Sequence, residues 1–423
     1  MHLKLSPRHF KPIIILLVFL NLFFLGGTWL YDSVGARTGN STRFLLLQLD
    51  LAYENVLSAW YSSMLLLLVA IMCIFCFLID KERFQRKADT YINHGWIILS
   101  LIFLTLSLDE LGSFHETIGD TGLFEIFGKS EGWQVFYILI ILVGIFMILF
   151  SWIRLRRMPL ATAFMVVGVL LLLSNPLQEN FEIESMQSSV NPSHWKRPVI
   201  YLLLEEGSEI FATICFLVST MTYYVYSNRQ IKSLNVVSSN NITLHISKIK
   251  LLWFTISLVI LLGALMAIVD RYIQREVNNE IGIPKNWFPA TMTFIVFISS
   301  LYFFYNSSKA RRSFFLYMAI LSILLSAYCG ADLYEHHFNE LIVAEKIFNW
   351  TIIVFVIILC TRFLPEQHGI TNKLLVFMWA VCICLAFKLN KSYTSEFILT
   401  GFSFFFIAIV GNYSAKNNIG NYK

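Results

Sequence analysis

The chain has 423 residues, 57% of them hydrophobic and only 14% charged, with 32 Lys and Arg against 27 Asp and Glu for a formal net charge of +5. Soluble domains carry roughly a quarter charged residues, so an ordinary soluble protein is excluded, and the polar stretches are too short to form a separate soluble domain. The bilayer is the solvent in which this chain must be read, and the excess of cations reports orientation rather than a nucleic-acid partner.

The first apolar run, 13–31, follows Lys4, Arg8 and Lys11. It is too long for a signal-peptide core and has no small-residue cleavage site, so it is expected to stay as a membrane anchor. The connector 32–55 carries apolar residues at helical spacing with Arg43, Asp50 and Glu54 between them. That pattern predicts an interfacial amphipathic helix, an extended connector being the alternative. Further runs follow at 56–79, 95–114, 133–153, 160–178 and 198–226, then at 250–269, 288–305, 313–331, 347–364, 371–388 and 396–412. Together they predict an all-α, polytopic membrane helix bundle of about twelve spans.

Cations recur in every second connector: Lys81, Arg83, Arg86 and Lys87; Arg154, Arg156 and Arg157; Arg229, Lys232, Lys248 and Lys250; Lys309, Arg311 and Arg312. By the positive-inside rule both termini are expected in the cytoplasm, with the chain in a bacterial inner (plasma) membrane. The expected division is a first six-helix unit at 1–226, a cytoplasmic linker at 227–249 and a second unit at 250–423. Features recur in order between the halves. Asp32 and Asp270 end the first and seventh runs, SLDELGSFHE ends the third and GADLYEHHFNE the ninth, and Trp133 and Trp350 open the fourth and tenth. This fits a parallel 6+6 repeat, degenerate in its second copy, or the general likeness of polytopic chains. The seven cysteines, Cys73, Cys76, Cys215, Cys329, Cys360, Cys382 and Cys384, lie in or beside apolar runs. They read as small packing residues rather than a disulfide framework.

Ionisable residues near a span centre cost roughly 2.5 to 3.5 kcal/mol each, so their placement needs a reason. Asp109, Glu110, His115 and Glu116 close the third run, and Asp109 and Glu116 share a face if the helix continues through Gly112. Glu179 and Glu182, with Asn175 one turn earlier, close the fifth run beside Pro176. Glu205, Glu206 and Glu209 lie inside the sixth, and Asp332, Glu335, His336 and His337 end the ninth. The charge-derived topology brings all four groups to one depth near the extracytoplasmic face. Carboxylates gathered with few cations either hold protons or share a metal ion. Glu116, Glu179, Glu182, Glu205, Glu206, Glu209, Asp332, Glu335, His336 and His337 are therefore candidate ligands for a divalent Zn, Mn or Fe ion. Asp109, Glu110, His115 and Glu116 are candidate catalytic groups. Asn93 and His94 suggest a helix-entry role.

Asp32, at the outer end of the first run, is similar in placement to the acidic base of polyprenyl-phosphate-dependent membrane glycosyltransferases. The resemblance covers that residue and the polytopic plan only, and the large outer domain of that family is missing. The segments LDE-x4-HE (Leu108 to Glu116) and LLEEG (203–207) resemble motifs of uncharacterised bacterial polytopic membrane proteins, which implies no activity. Walker, dinucleotide, G-x-S-x-G and H-E-x-x-H motifs are absent from the relevant positions. Three functions stay open: a metal-dependent enzyme acting on a lipid or lipid-linked substrate, a proton- or cation-coupled transporter, and a membrane assembly or scaffold subunit.

Overall fold

The structure, a computed structural model, describes residues 7–34, 46–51, 56–83, 87–112, 134–187, 198–237 and 309–330, with single positions at 42 and between 290 and 301. All regular structure among the described residues is helical. The chain forms two compact units, Met1–Leu244 and His245–Lys423. The first contains α1 (Pro7–Val34), α2 (Leu57–Arg83), α3 (Lys87–Gly112), α4 (Gln134–Arg154), α5 (Pro159–Gln187) and α6 (Val199–Val237), and the second contains α7 (Lys309–Gly330).

Among the described residues, five stretches are long and apolar enough to cross a bilayer: Pro12–Val34, Leu57–Lys81, Ile92–Glu110, Pro159–Gln178 and Val199–Gln230. Shorter apolar stretches, Ile140–Arg154 and Met318–Ala327, lie in α4 and α7. The protein is thus an integral, multi-pass membrane protein. The runs expected at 250–269, 347–364, 371–388 and 396–412, and with them the test of a repeat, lie outside the described residues.

In the first unit α2 and α6 are central. α2 is buried over most of its surface, through Trp60, Tyr61, Met64, Leu65, Val69, Cys73 and Cys76, with Ile74 exposed. α1 instead buries one stripe, Leu17, Asn21, Phe24 and Thr28, at steps of three and four residues, while Ile15, Phe19 and Leu22 face outward. α4 is peripheral and exposes Ile138, Leu142, Ile145, Leu149 and Trp152. An outward apolar face needs no protein cover in a bilayer.

Small polar side chains join the helices by donating to neighbouring carbonyls, a common device where lipid gives no hydrophobic drive to pack. Ser63 Oγ reaches Ser107 O at 2.6 Å, and Ser100 Oγ reaches Ala70 O at 2.9 Å, between α2 and α3. Ser219 Oγ donates to Ala161 O at 2.7 Å between α6 and α5, and Cys76 Sγ approaches Thr220 O at 3.4 Å between α2 and α6. Gly95 and Gly168 leave room for the rings of Phe150 and Phe216 against the helix backbone. Cys73 and Cys76 are buried and unbridged, as packing residues.

These pairings set the helix directions. Ser63 meets Ser107, Tyr61 meets Leu17, Ser219 meets Ala161 and Cys76 meets Thr220, so the end of α1, the start of α2, the end of α3, the end of α5 and the start of α6 share one end of the unit. The end of α2, the starts of α3 and α5, the end of α4 and the Tyr223 region of α6 share the other.

The connector after α1 departs from the interfacial helix in its described part, 46–51. Asp50 is 3% exposed and Leu51 7%, and Leu51 N donates to Thr28 Oγ1 at 2.9 Å. Gln48 Oε1 accepts from Leu57 N at 3.1 Å and Ser58 Oγ donates to Asp50 O at 2.6 Å, so the segment is pinned to both α1 and α2. Gly27 makes this possible, because a Cβ there would lie 2.4 Å from Leu49 Cβ. Amphipathic periodicity is the same whether a segment lies on a membrane or docks on its own bundle.

Candidate functional site

The carboxylates gather at the first of these two ends. Pro198 precedes α6 and its carbonyl accepts from Tyr201 N at 3.0 Å, closing the first turn. Glu205, Glu206 and Glu209 follow, each half-buried. Across from them α5 runs unbroken through Pro176 and carries the buried Asn175. Asn175 Nδ2 donates to Glu209 Oε1 at 2.5 Å. Ser208 Oγ lies 2.5 Å from Asn175 Oδ1 and 2.8 Å from the Glu205 carbonyl, two acceptors for its one proton. Asn175 is thus held at both ends of its amide and aims a donor at one oxygen of Glu209. One turn on, Gln178 Nε2 donates to Ser174 Oγ at 2.9 Å. α1 passes close by, with Leu25 about 3.5 Å from where a Cβ on Gly207 would lie.

Asp109 and Glu110 are half-buried near the end of α3, and Asp32 is half-buried near the end of α1, all at this same end of the unit. Among the described residues, no three of His, Cys, Asp and Glu gather closely enough to hold a metal ion. Glu179 and Glu182 lie on the helical backbone of α5, but their side chains are outside the description, as are His115, Glu116, Asp332, Glu335, His336 and His337 entirely.

The other end holds an assembly that the sequence reading missed. Asp80, with no exposure, accepts from Trp96 Nε1 at 2.7 Å and Arg154 Nε at 2.6 Å on Oδ2, and from Tyr223 OH at 2.5 Å on Oδ1. The Arg154 guanidinium also donates to Asn93 Oδ1, and its side chain is 6% exposed. One carboxylate therefore joins α2, α3, α4 and α6, with Phe150 and Tyr223 each 4.9 Å from Trp96 around it. Asn93 does not serve helix entry, since α3 begins at Lys87 and Asn93 is 2% exposed inside it. Arg154 is not a free boundary charge like the exposed Arg156 and Arg157. The available signal was that Asp80 and Arg154 each follow an apolar run with no polar residue between, whereas the other connector cations lie further out.

Along α6, Glu205 and Tyr223 are eighteen residues apart, about 27 Å at about 1.5 Å per residue. The hydrocarbon core is about 30 Å thick. The two assemblies therefore lie towards opposite ends of the apolar stretch Val199–Gln230. Charge follows the same division, with exposed Lys81, Arg156, Arg157 and Arg229 at the Asp80 end.

A family model described as Domain of unknown function (DUF8692) matches residues 10–224. Both LDE-x4-HE and LLEEG fall inside that span. No curated protein and no solved structure matches the chain.

Proposed function

Because the chain belongs to the family of the DUF8692 domain, whose function is unknown, we propose its activity from the site alone: a membrane-embedded enzyme whose carboxylate end acts on a lipid or lipid-linked substrate with a divalent metal ion. The observation that carries this reading is the Asn175–Ser208–Glu209 set. It orients one carboxylate, that of Glu209, within the group of acids on α6. Glu205, Glu206 and Glu209 are the proposed ligands on α6; they do not form a metal-holding group by themselves, and Glu179 and Glu182 from α5 and Glu116 after α3 are proposed to complete it. Asp109 and Glu110 at the end of α3, followed by His115, are the proposed acid–base groups, and Asp32 closes the site from α1. A metal there supplies a Lewis acid and an activated water or hydroxyl. By the positive-inside rule this end faces out of a bacterial inner membrane, with both termini cytoplasmic.

Metal content measured by plasma mass spectrometry on the detergent-purified chain tests the reading. A near-stoichiometric transition metal, reduced in Glu116→Gln, Glu205→Gln and Glu209→Gln at unchanged expression, is expected. Equal content in all three variants and the parent would remove the metal.

A second reading, proton- or cation-coupled transport, is favoured by the depth of Glu209. It lies ten residues into α6 from Val199, about 15 Å, with its bond to Asn175 inside the α5–α6 contact. Ion flux into proteoliposomes that is lost in Glu209→Gln, from a metal-free protein, would put this reading first.

A further inference from the structure

We propose that the α4–α5 turn binds an anionic phospholipid, its phosphate held by Arg156 and Arg157 and one acyl chain laid along the outer face of α4. The turn spans only residues 155–158 and is anchored from below. Leu155 has no exposure and Met158 is 6% exposed. Leu155 N donates to Ser151 O, Met158 N to Leu155 O and Thr162 N to Met158 O, at 2.7, 2.7 and 3.0 Å, while Thr162 Oγ1 lies 2.8 Å from Leu155 O. A fixed backbone thus carries two adjacent guanidiniums to the surface, both exposed and neither ion-paired with a described residue. The third cation of the run, Arg154, is taken by Asp80 and turned inward.

Phosphate is the anion a guanidinium fork recognises best, by parallel charge-assisted bonds. What makes the ligand an amphiphile is the surface leading away from the turn. Ile145, Leu149 and Trp152 recur at steps of four and three residues, so they form one ridge on α4, and they are 49%, 58% and 68% exposed. Ile138 and Leu142 extend that ridge towards the opposite boundary. An exposed indole in the last turn of α4, four and five residues before the two arginines, with an aliphatic strip beyond, matches a phosphate head and its acyl chain in order and polarity. This inference needs the unit to sit in a membrane, but it rests on neither the chemistry nor the orientation proposed for the carboxylate end.

The test is native mass spectrometry of the full chain in neutral detergent, titrated with phosphatidylglycerol or phosphatidylcholine of the same acyl chains. The parent is expected to bind phosphatidylglycerol on the order of tenfold more tightly, from two boundary cations. The exposed double variant Arg156→Gln/Arg157→Gln should lose that preference while eluting as the parent does in size exclusion. Trp152→Ala should weaken both lipids alike, and Arg229→Gln, at another exposed cation of the same end, should leave the preference intact. The proposal is overturned by equal binding of the two lipids, by a preference that survives the double variant, or by equal losses in the Arg229 variant, which would mean a diffuse field. Competition by glycerol 3-phosphate at the same concentration would also overturn it, in favour of a soluble phosphate, and so would a dimer that covers α4 and excludes lipid.

Discussion

The two ends of the first unit solve the same problem in opposite ways. At one end a fully buried carboxylate, Asp80, receives donors from three other helices and has its charge neutralised by Arg154. At the other, Glu205, Glu206 and Glu209 are half-buried, with Glu209 bonded to Asn175 and Asn175 in turn to Ser208, and with Asp109, Glu110 and Asp32 on neighbouring helix ends. A closed, neutral network specifies how helices fit together, and its removal is costly. A cluster of half-buried acids with one carboxylate oriented by an amide is the kind of arrangement found at functional sites. The Asp80 end thus serves structure, and the Glu209 end is where the proposed chemistry is placed.

The largest effect on stability is expected at Asp80. Asp80→Ala leaves Arg154 buried without its counter-charge, which should destabilise the detergent-solubilised protein by about 3–5 kcal/mol in denaturant unfolding. Adding Arg154→Leu should recover part of that loss, because the uncompensated charge is then gone. Trp96→Phe keeps a smaller aromatic ring, removes the donor to Asp80 and leaves a cavity at a fully buried site, and a loss of about 2–4 kcal/mol is expected. Gly27→Ala drives a methyl into Leu49 and should cost about 1–3 kcal/mol, with greater protease access to the 46–51 segment as its signature. Glu209→Gln keeps an oxygen acceptor for Asn175 and should change stability by less than about 1 kcal/mol, while removing whatever the site does. A Glu209 variant that unfolds as readily as Asp80→Ala would erase the distinction between the ends.

Much of the architecture was legible because hydrophobic run length reports directly on helices in a bilayer. The runs at 56–79, 95–114, 160–178 and 198–226 reappear as the spanning parts of α2, α3, α5 and α6. Partner choice was not legible. Asp80 sits in LIDKER and looks like one charge among several at a span end, and only the fold shows that Trp96, Arg154 and Tyr223, from three distant segments, converge on it. Segment 46–51, the described part of the connector expected as an interfacial helix, shows a related limit, since Leu49 packs on Gly27 and the Leu51 backbone is held by Thr28. At the carboxylate end the sequence singled out Asn175 and Glu209 separately. Their pairing across α5 and α6 is a tertiary fact that a spacing rule within one helix cannot contain.

The most direct test is the shift in unfolding midpoint that added Mn²⁺ or Zn²⁺ produces in the parent, Trp96→Phe and Glu209→Gln proteins. A ligand at a hundred times its Kd stabilises the folded state by about 2.7 kcal/mol. The parent should gain stability, Trp96→Phe should gain the same increment from a lower starting point, and Glu209→Gln should gain little or none. An increment in Glu209→Gln equal to that of the parent would contradict a metal site at the carboxylate end.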